Sequence, residues 1–317
     1  MNPPLDVPGW AWLLFAVIIV VSLAVDLWAH RGGRSLSRRQ AIGWSVAWVV
    51  LALLFGAGVA AKFGWDTALE FIAAYATEKS LSLDNLFLFI VIFARLGIPE
   101  GEQHRVLFWG ILGAFATRAA FIAAGTALLA AWHPVVYVLG AFLLFTGIKT
   151  ALERPEAERE GRLLAFLRRH LPLTARLSGH RFFVVEGGRL VGTPLLLALI
   201  AIEFTDVVFA VDSVPAALAI SKAPFIVYSS NVFAVLGLRA LYLVIAHALS
   251  GLKYLRFGLG AILAFAGCKM LLGDVFPISH VVALLVIVLS MTLAIAASLF
   301  ARRGSREGAS TPDGAGG

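Results

Sequence analysis

Apolar stretches of about twenty residues recur along the chain, near 10–29, 41–61, 68–94, 106–130, 134–151, 194–219, 225–249, 255–272 and 279–300. A helix of that length crosses the hydrocarbon core of a bilayer. The pattern therefore predicts an all-α polytopic membrane protein of nine transmembrane helices. The polar connections between them set an orientation. Loop 30–40 carries four arginines, Arg95 and Arg105 lie in a loop on the same side, and segment 152–192 is Arg-rich. Lys253, Arg256 and the tail residues Arg302, Arg303 and Arg306 continue the series, whereas the other side holds little beyond Lys62 and Lys222. Lysine and arginine favour cytoplasmic loops, so the N-terminus is expected outside and the C-terminus inside.

The layout expected is two N-terminal spans (1–65), a three-helix unit (66–151), a cytoplasmic loop (152–192), a second three-helix unit (193–273), a ninth span (274–301) and a disordered tail (302–317). Within the loop, Leu163 to Leu171 suits a short amphipathic surface helix, and the Gly187-Gly188 turn suits a β-hairpin. The loop is also the place where protein partners would dock.

Composition agrees with the pattern. Of 317 residues, 60% are hydrophobic and 14% charged, against about a quarter charged in soluble domains. The net charge of +7 lies between apolar segments, not along one face, which argues for a topology signal and against nucleic acid as a partner. The single cysteine, Cys268, excludes a disulfide framework and Cys-based metal sites.

The middle of the chain repeats. Leu139-Gly140-Ala141-Phe142-Leu143-Leu144-Phe145-Thr146-Gly147 recurs as Leu259-Gly260-Ala261-Ile262-Leu263-Ala264-Phe265-Ala266-Gly267. Leu112-Gly113 with Arg118 has its counterpart in Leu236-Gly237 with Arg239, and Leu81 to Asn85 aligns with Phe209 to Ser213. In that register Glu78 stands opposite Asp206. Three spans thus repeat as three, and an odd repeat must be inverted in the membrane. Inverted repeats with polar residues at mid-depth are a mark of alternating-access transporters.

Those polar residues are acids. Glu78 and Asp84 fall in the third span, and Glu203, Asp206 and Asp212 in the sixth. An ionised carboxylate in hydrocarbon costs several kcal/mol, so it needs a partner or a purpose. With Asn85, Ser213, Ser82 and Thr205 the donors are all oxygen, which suits Mg²⁺, Ca²⁺ or Mn²⁺ better than zinc or copper. Glu78, Ser82 and Asn85 share a helix face at i, i+4, i+7; Asp84 and Asp212 lie off that stripe. Two readings of these aspartates stay open. Pro215 could break the sixth span and turn Asp212 into the site, or Asp84 could pair with Arg118 and Asp212 with Arg239. Lys79 is the basic neighbour of Glu78, and Asp26 in the first span is either a gate acid or an interfacial one.

The stretches Glu78-Lys79-Ser80-Leu81-Ser82-Leu83-Asp84-Asn85 and Glu203-Phe204-Thr205-Asp206-Val207-Val208-Phe209-Ala210-Val211-Asp212-Ser213-Val214-Pro215 resemble the paired signatures of the TerC/Alx family, which is named for tellurium resistance and is related to the lysine exporters. The resemblance runs over almost the whole chain. It implies a multi-pass protein of the bacterial plasma membrane associated with manganese efflux, with Glu78, Asp84, Asn85, Glu203, Asp206, Asp212 and Ser213 in motif positions. Export of a divalent metal cation, most simply Mn²⁺ carried as substrate with no permanently bound cofactor, is the leading expectation, with proton antiport as its coupling. A scaffold that metallates exported proteins, a tellurite-resistance complex and an organic-cation exporter are the alternatives. No Walker-type, rhomboid-type or zincin motif occurs, so no enzymatic activity is expected.

Overall fold

The computed structural model describes residues 5–29, 37–132, 134–152, 157–246, 254–273, 275–276 and 278–307. The basic segment 30–36, residues 153–156, Lys253 and the chain after Glu307 lie outside them, as does the side chain of Asp84. The helices are α1 (Gly9–Ala29), α2 (Arg38–Phe63), α3 (Trp65–Leu96), α4 (Glu100–Ala131), α5 (Val135–Leu152), α6 (Ala157–His170), α7 (Pro194–Ile220), α8 (Pro224–Leu236), α9 (Leu238–Ala246), α10 (Leu255–Leu272) and α11 (His280–Glu307). Between α6 and α7 stand the strands β1 (Phe183–Glu186) and β2 (Arg189–Gly192).

The protein is an all-α polytopic membrane protein. Seven described helices are long and apolar enough to span a bilayer, and α8 with α9 make an eighth as one span bent by 42°. The remaining stretch of the nine, α3, has ample length at 32 residues. It does not count as a span on composition, because the signature acids and Lys79 interrupt its apolar run.

Local chemistry explains where the elements stop. Ser37 and Gln40 form a capping box at the start of α2. Gly97 closes α3 in the left-handed region at φ 62°, where a residue without Cβ is unstrained. Gly187 and Gly188 both have positive φ, 59° and 77°, as the tight turn joining β1 to β2 requires.

Two expectations are corrected here. Pro215 does not break its helix, since α7 runs through it to Ile220. The break falls at Gly237 instead, between α8 and α9. The tail expected to be disordered from Arg302 is helical as far as Glu307, where α11 ends.

In the core, α3 packs on α7 and α8, α4 packs on α7 and α8, and α5 packs along α10. The last pair is very close. A Cβ added to Gly147 would meet the backbone nitrogen of Ala264 at 2.5 Å and the Gly260 carbonyl at 2.7 Å; one added to Gly267 would meet the Gly140 carbonyl at 2.6 Å. Small residues let membrane helices approach this tightly. Gly140 thus faces Gly267 and Gly147 faces Gly260, so the two helices run antiparallel. These are the crossed, reciprocal contacts that a twofold axis between repeated segments produces.

Candidate functional site

Four helices converge on one guanidinium. Arg118 projects from α4 and is 1% exposed. Its Nη1 donates to Glu78 Oε1 on α3 and to Asn231 Oδ1 on α8. Its Nη2 donates to Asp206 Oδ1 on α7 at 3.3 Å. Asn231 Nδ2 closes the network by donating to Glu78 Oε2 at 3.3 Å. All four side chains are buried. Charged groups are tolerated at such depth only when paired and hydrogen-bonded.

The pairing is incomplete. One guanidinium faces two carboxylates, so the ionised cluster keeps a formal charge of −1. Asp206 Oδ2 is buried without a hydrogen-bond partner, and so are Asn85 Oδ1 and Ser82 Oγ on α3 and Ser213 Oγ on α7. Buried polar atoms without partners are rare in proteins, and a bound water or ion is one explanation for them. Thr77 and Thr205 are not among them, because each hydroxyl donates to a carbonyl one turn back, Ala73 and Ala201.

Glu203, one helical turn before Asp206, is half-buried on α7. Its carboxylate lies directly against Gly113 of α4, in the space a Cβ there would need. Gly237 makes room in a comparable way at the break between α8 and α9. A Cβ there would come within 2.9 Å of Lys79 Nζ and 3.1 Å of Trp48 Cβ. Lys79 donates to the Ala234 carbonyl at 3.0 Å, one of the carbonyls that the end of α8 leaves open. A cation at a helix C-terminus is favourably placed.

Asp26 is neither a loose interfacial acid nor part of the Arg118 cluster. Its Oδ2 accepts from Arg239 Nη1 at 2.8 Å, with both side chains buried. This pair ties α1 to α9. Among the described side chains Arg118 serves Glu78 and Asp206, and Arg239 serves Asp26; the expected Asp84–Arg118 pairing falls on a side chain outside them. Asp212 is half-buried on α7.

Of the expected seven-residue ligand set, the Asp84 side chain lies outside the described residues, while Glu78 and Asp206 meet at Arg118. Among the described residues no three of His, Cys, Asp and Glu come together as a metal-binding group. The physical reason is Arg118, whose guanidinium stands between Glu78 and Asp206 where a cation would bridge them. Asn231 was missed from sequence. Its signal was the polar triplet Ser229-Ser230-Asn231 inside an otherwise apolar span, in which the two serines bond their own helix and only Asn231 reaches out.

Residues 63–306 match the family described as "Integral membrane protein TerC family". An "Uncharacterized membrane protein" of Myxococcus xanthus is 47% identical over 304 residues, 95% of each chain. Proteins named "Putative membrane-bound redox modulator Alx" are similar as well. The one from Salmonella typhi is 43% identical, covering 90% of this chain and 92% of its own. The one from Escherichia coli K12 is 40% identical, covering 94% and 97%. No solved structure matches.

Proposed function

This chain belongs to the TerC family of integral membrane proteins, and from that premise we propose that it exports a divalent metal cation, Mn²⁺ being the best fit, from the bacterial cytoplasm across the inner membrane. The observation that carries the reading is the centre itself: carboxylates of α3 and α7, from the two repeated units, converge on a single buried cation and leave Asp206 Oδ2 without a partner.

Arg118 then acts as a tethered stand-in for the substrate. With no metal bound, its guanidinium offsets the repulsion between Glu78 and Asp206. A divalent ion entering beside Glu203 replaces it, gaining hard oxygen donors that manganese accepts readily. Asn85 and Ser213 supply further oxygens from the same two helices. Rocking of one three-helix unit against the other along the glycine contacts of α5 and α10 would expose the centre to each side in turn. Protonation of the carboxylates on the outer side removes the negative charge that holds the ion, which gives proton antiport as the coupling. The relatives' redox name finds one thiol in this chain, Cys268, so a dithiol within the chain is not its chemistry.

The test is Mn²⁺ uptake into inverted membrane vesicles, where export reads as uptake. Vesicles with the intact chain should accumulate Mn²⁺, faster when the lumen is acid, and Glu203→Gln and Asp206→Asn at matched expression should abolish it. Equal background uptake in all three would sink the exporter reading.

A further inference from the structure

Away from the acid centre, α1, α2 and α8 enclose an apolar groove of about 340 Å³. That is far more than the roughly 10–15 Å³ a single water needs by the same measure. Leu14, Leu51, Phe55, Phe225 and Phe233 are among its walls, and Lys62 is the one charged residue lining it. From Trp10 at the start of α1 to Ile18, both lining residues, the groove follows the helix for about 12 Å at 1.5 Å per residue. Such walls do not hold water, and the medium around spanning helices is acyl chain.

The mouth is polar in a specific way. Lys62 lies in the last turn of α2 with its Nζ 5.5 Å from the centre of the Trp10 ring, and it has no carboxylate partner among the described residues. Trp10 at the start of α1 and Trp65 at the start of α3 are 54% and 68% exposed, as tryptophans at a membrane interface are. A lysine that merely snorkels to an interface needs no cavity beneath it. Here a cation, an aromatic shelf and an apolar channel follow one another along the same groove.

We propose that this groove is a binding site for one anionic phospholipid, an acyl chain lying between α1, α2 and α8 and the headgroup phosphate on the Lys62 ammonium. Phe225 and Phe233 belong to the helix that presents Asn231 to Arg118, so the lipid also braces the helix behind the acid centre. The site does not depend on which ion the centre carries.

Gly58 gives a clean probe. It lines the groove, and a Cβ there meets nothing within 4 Å, so Gly58→Leu fills the groove without a backbone clash. The experiment is native mass spectrometry of the full chain in detergent, offered phosphatidylglycerol or phosphatidylcholine. The intact protein should retain one phosphatidylglycerol in preference to phosphatidylcholine. Gly58→Leu, with unchanged thermal unfolding, should lose that adduct. Lys62→Gln, at an exposed position, should bring the two lipids to parity. No headgroup preference in the intact chain, or equal retention in Gly58→Leu, would overturn the proposal. So would a lipid-free dimer that Gly58→Leu dissociates, which would assign the groove to a second copy. None of these readings involves metal, so failure here leaves the exporter reading standing and the reverse holds too.

Discussion

The two three-helix units, α3 to α5 and α7 to α10, share sequence but use it differently at their middle spans. In the first, α4 runs unbroken for 32 residues and sends Arg118 into the centre. In the second, the corresponding span parts at Gly237 into α8 and α9, bent by 42°. Its arginine, Arg239, leaves the centre and holds Asp26 of α1. Asn231, a neutral residue, takes the inward place on α8. One arginine thus faces acids from both units, while the other anchors a helix outside the repeat. Duplication supplies matched parts, and the asymmetry decides which positive charge sits among the acids.

Removing each arginine should expose that division most strongly. Deleting one partner of a buried ion pair costs about 3–5 kcal/mol. Arg239→Met takes the guanidinium from one buried carboxylate, so adding Asp26→Leu should return part of the lost stability, since an apolar pair of similar volume is tolerated well. Arg118→Met strands two, so no single partner substitution should restore it. Thermal unfolding in detergent of the singles and doubles checks this, and full rescue of Arg118→Met by Glu78→Gln alone would contradict it.

The glycines that admit charged side chains should show smaller effects. Gly237→Ala pushes Lys79 off the Ala234 carbonyl, and a hydrogen bond from a charged donor is worth about 1.5–3 kcal/mol. It should lower stability by an amount in that range, as chemical denaturation would read. Gly113→Ala displaces the Glu203 carboxylate, but this side chain is half-exposed and can swing away, and alanine gains about 1 kcal/mol of helix propensity over glycine. Its stability should hardly change while vesicle uptake of Mn²⁺ falls several-fold. A drop in stability with uptake intact would reverse the roles assigned to the two positions.

Much of this was legible along the chain because hydrocarbon is an exacting solvent. Apolar length marked the helices, and acids at mid-span could not be incidental, so Glu78 and Asp206 stood out before any contact was seen. The glycines of Leu139 to Gly147 and Leu259 to Gly267 marked the repeat, and they meet across α5 and α10. What was not legible is which side chain faces which across helices. Spacing places Glu78, Ser82 and Asn85 on one face, but it does not say that Arg118 stands opposite, nor that Arg239 turns to α1. Pro215 misled about the break. A proline removes one backbone donor and α7 tolerates that, whereas at Gly237 the bend comes with a lysine on the open Ala234 carbonyl and Trp48 packed against the backbone.

The central claim is that the substrate cation and the Arg118 guanidinium compete for the same carboxylates. Mn²⁺ binding to the purified chain, followed by loss of the free-ion electron paramagnetic resonance signal, tests it directly. Arg118→Gln should bind Mn²⁺ at least tenfold more tightly than the intact protein, and Glu78→Gln with Asp206→Asn should abolish binding. Unchanged affinity in Arg118→Gln, or intact-level binding in the double acid variant, would contradict the account.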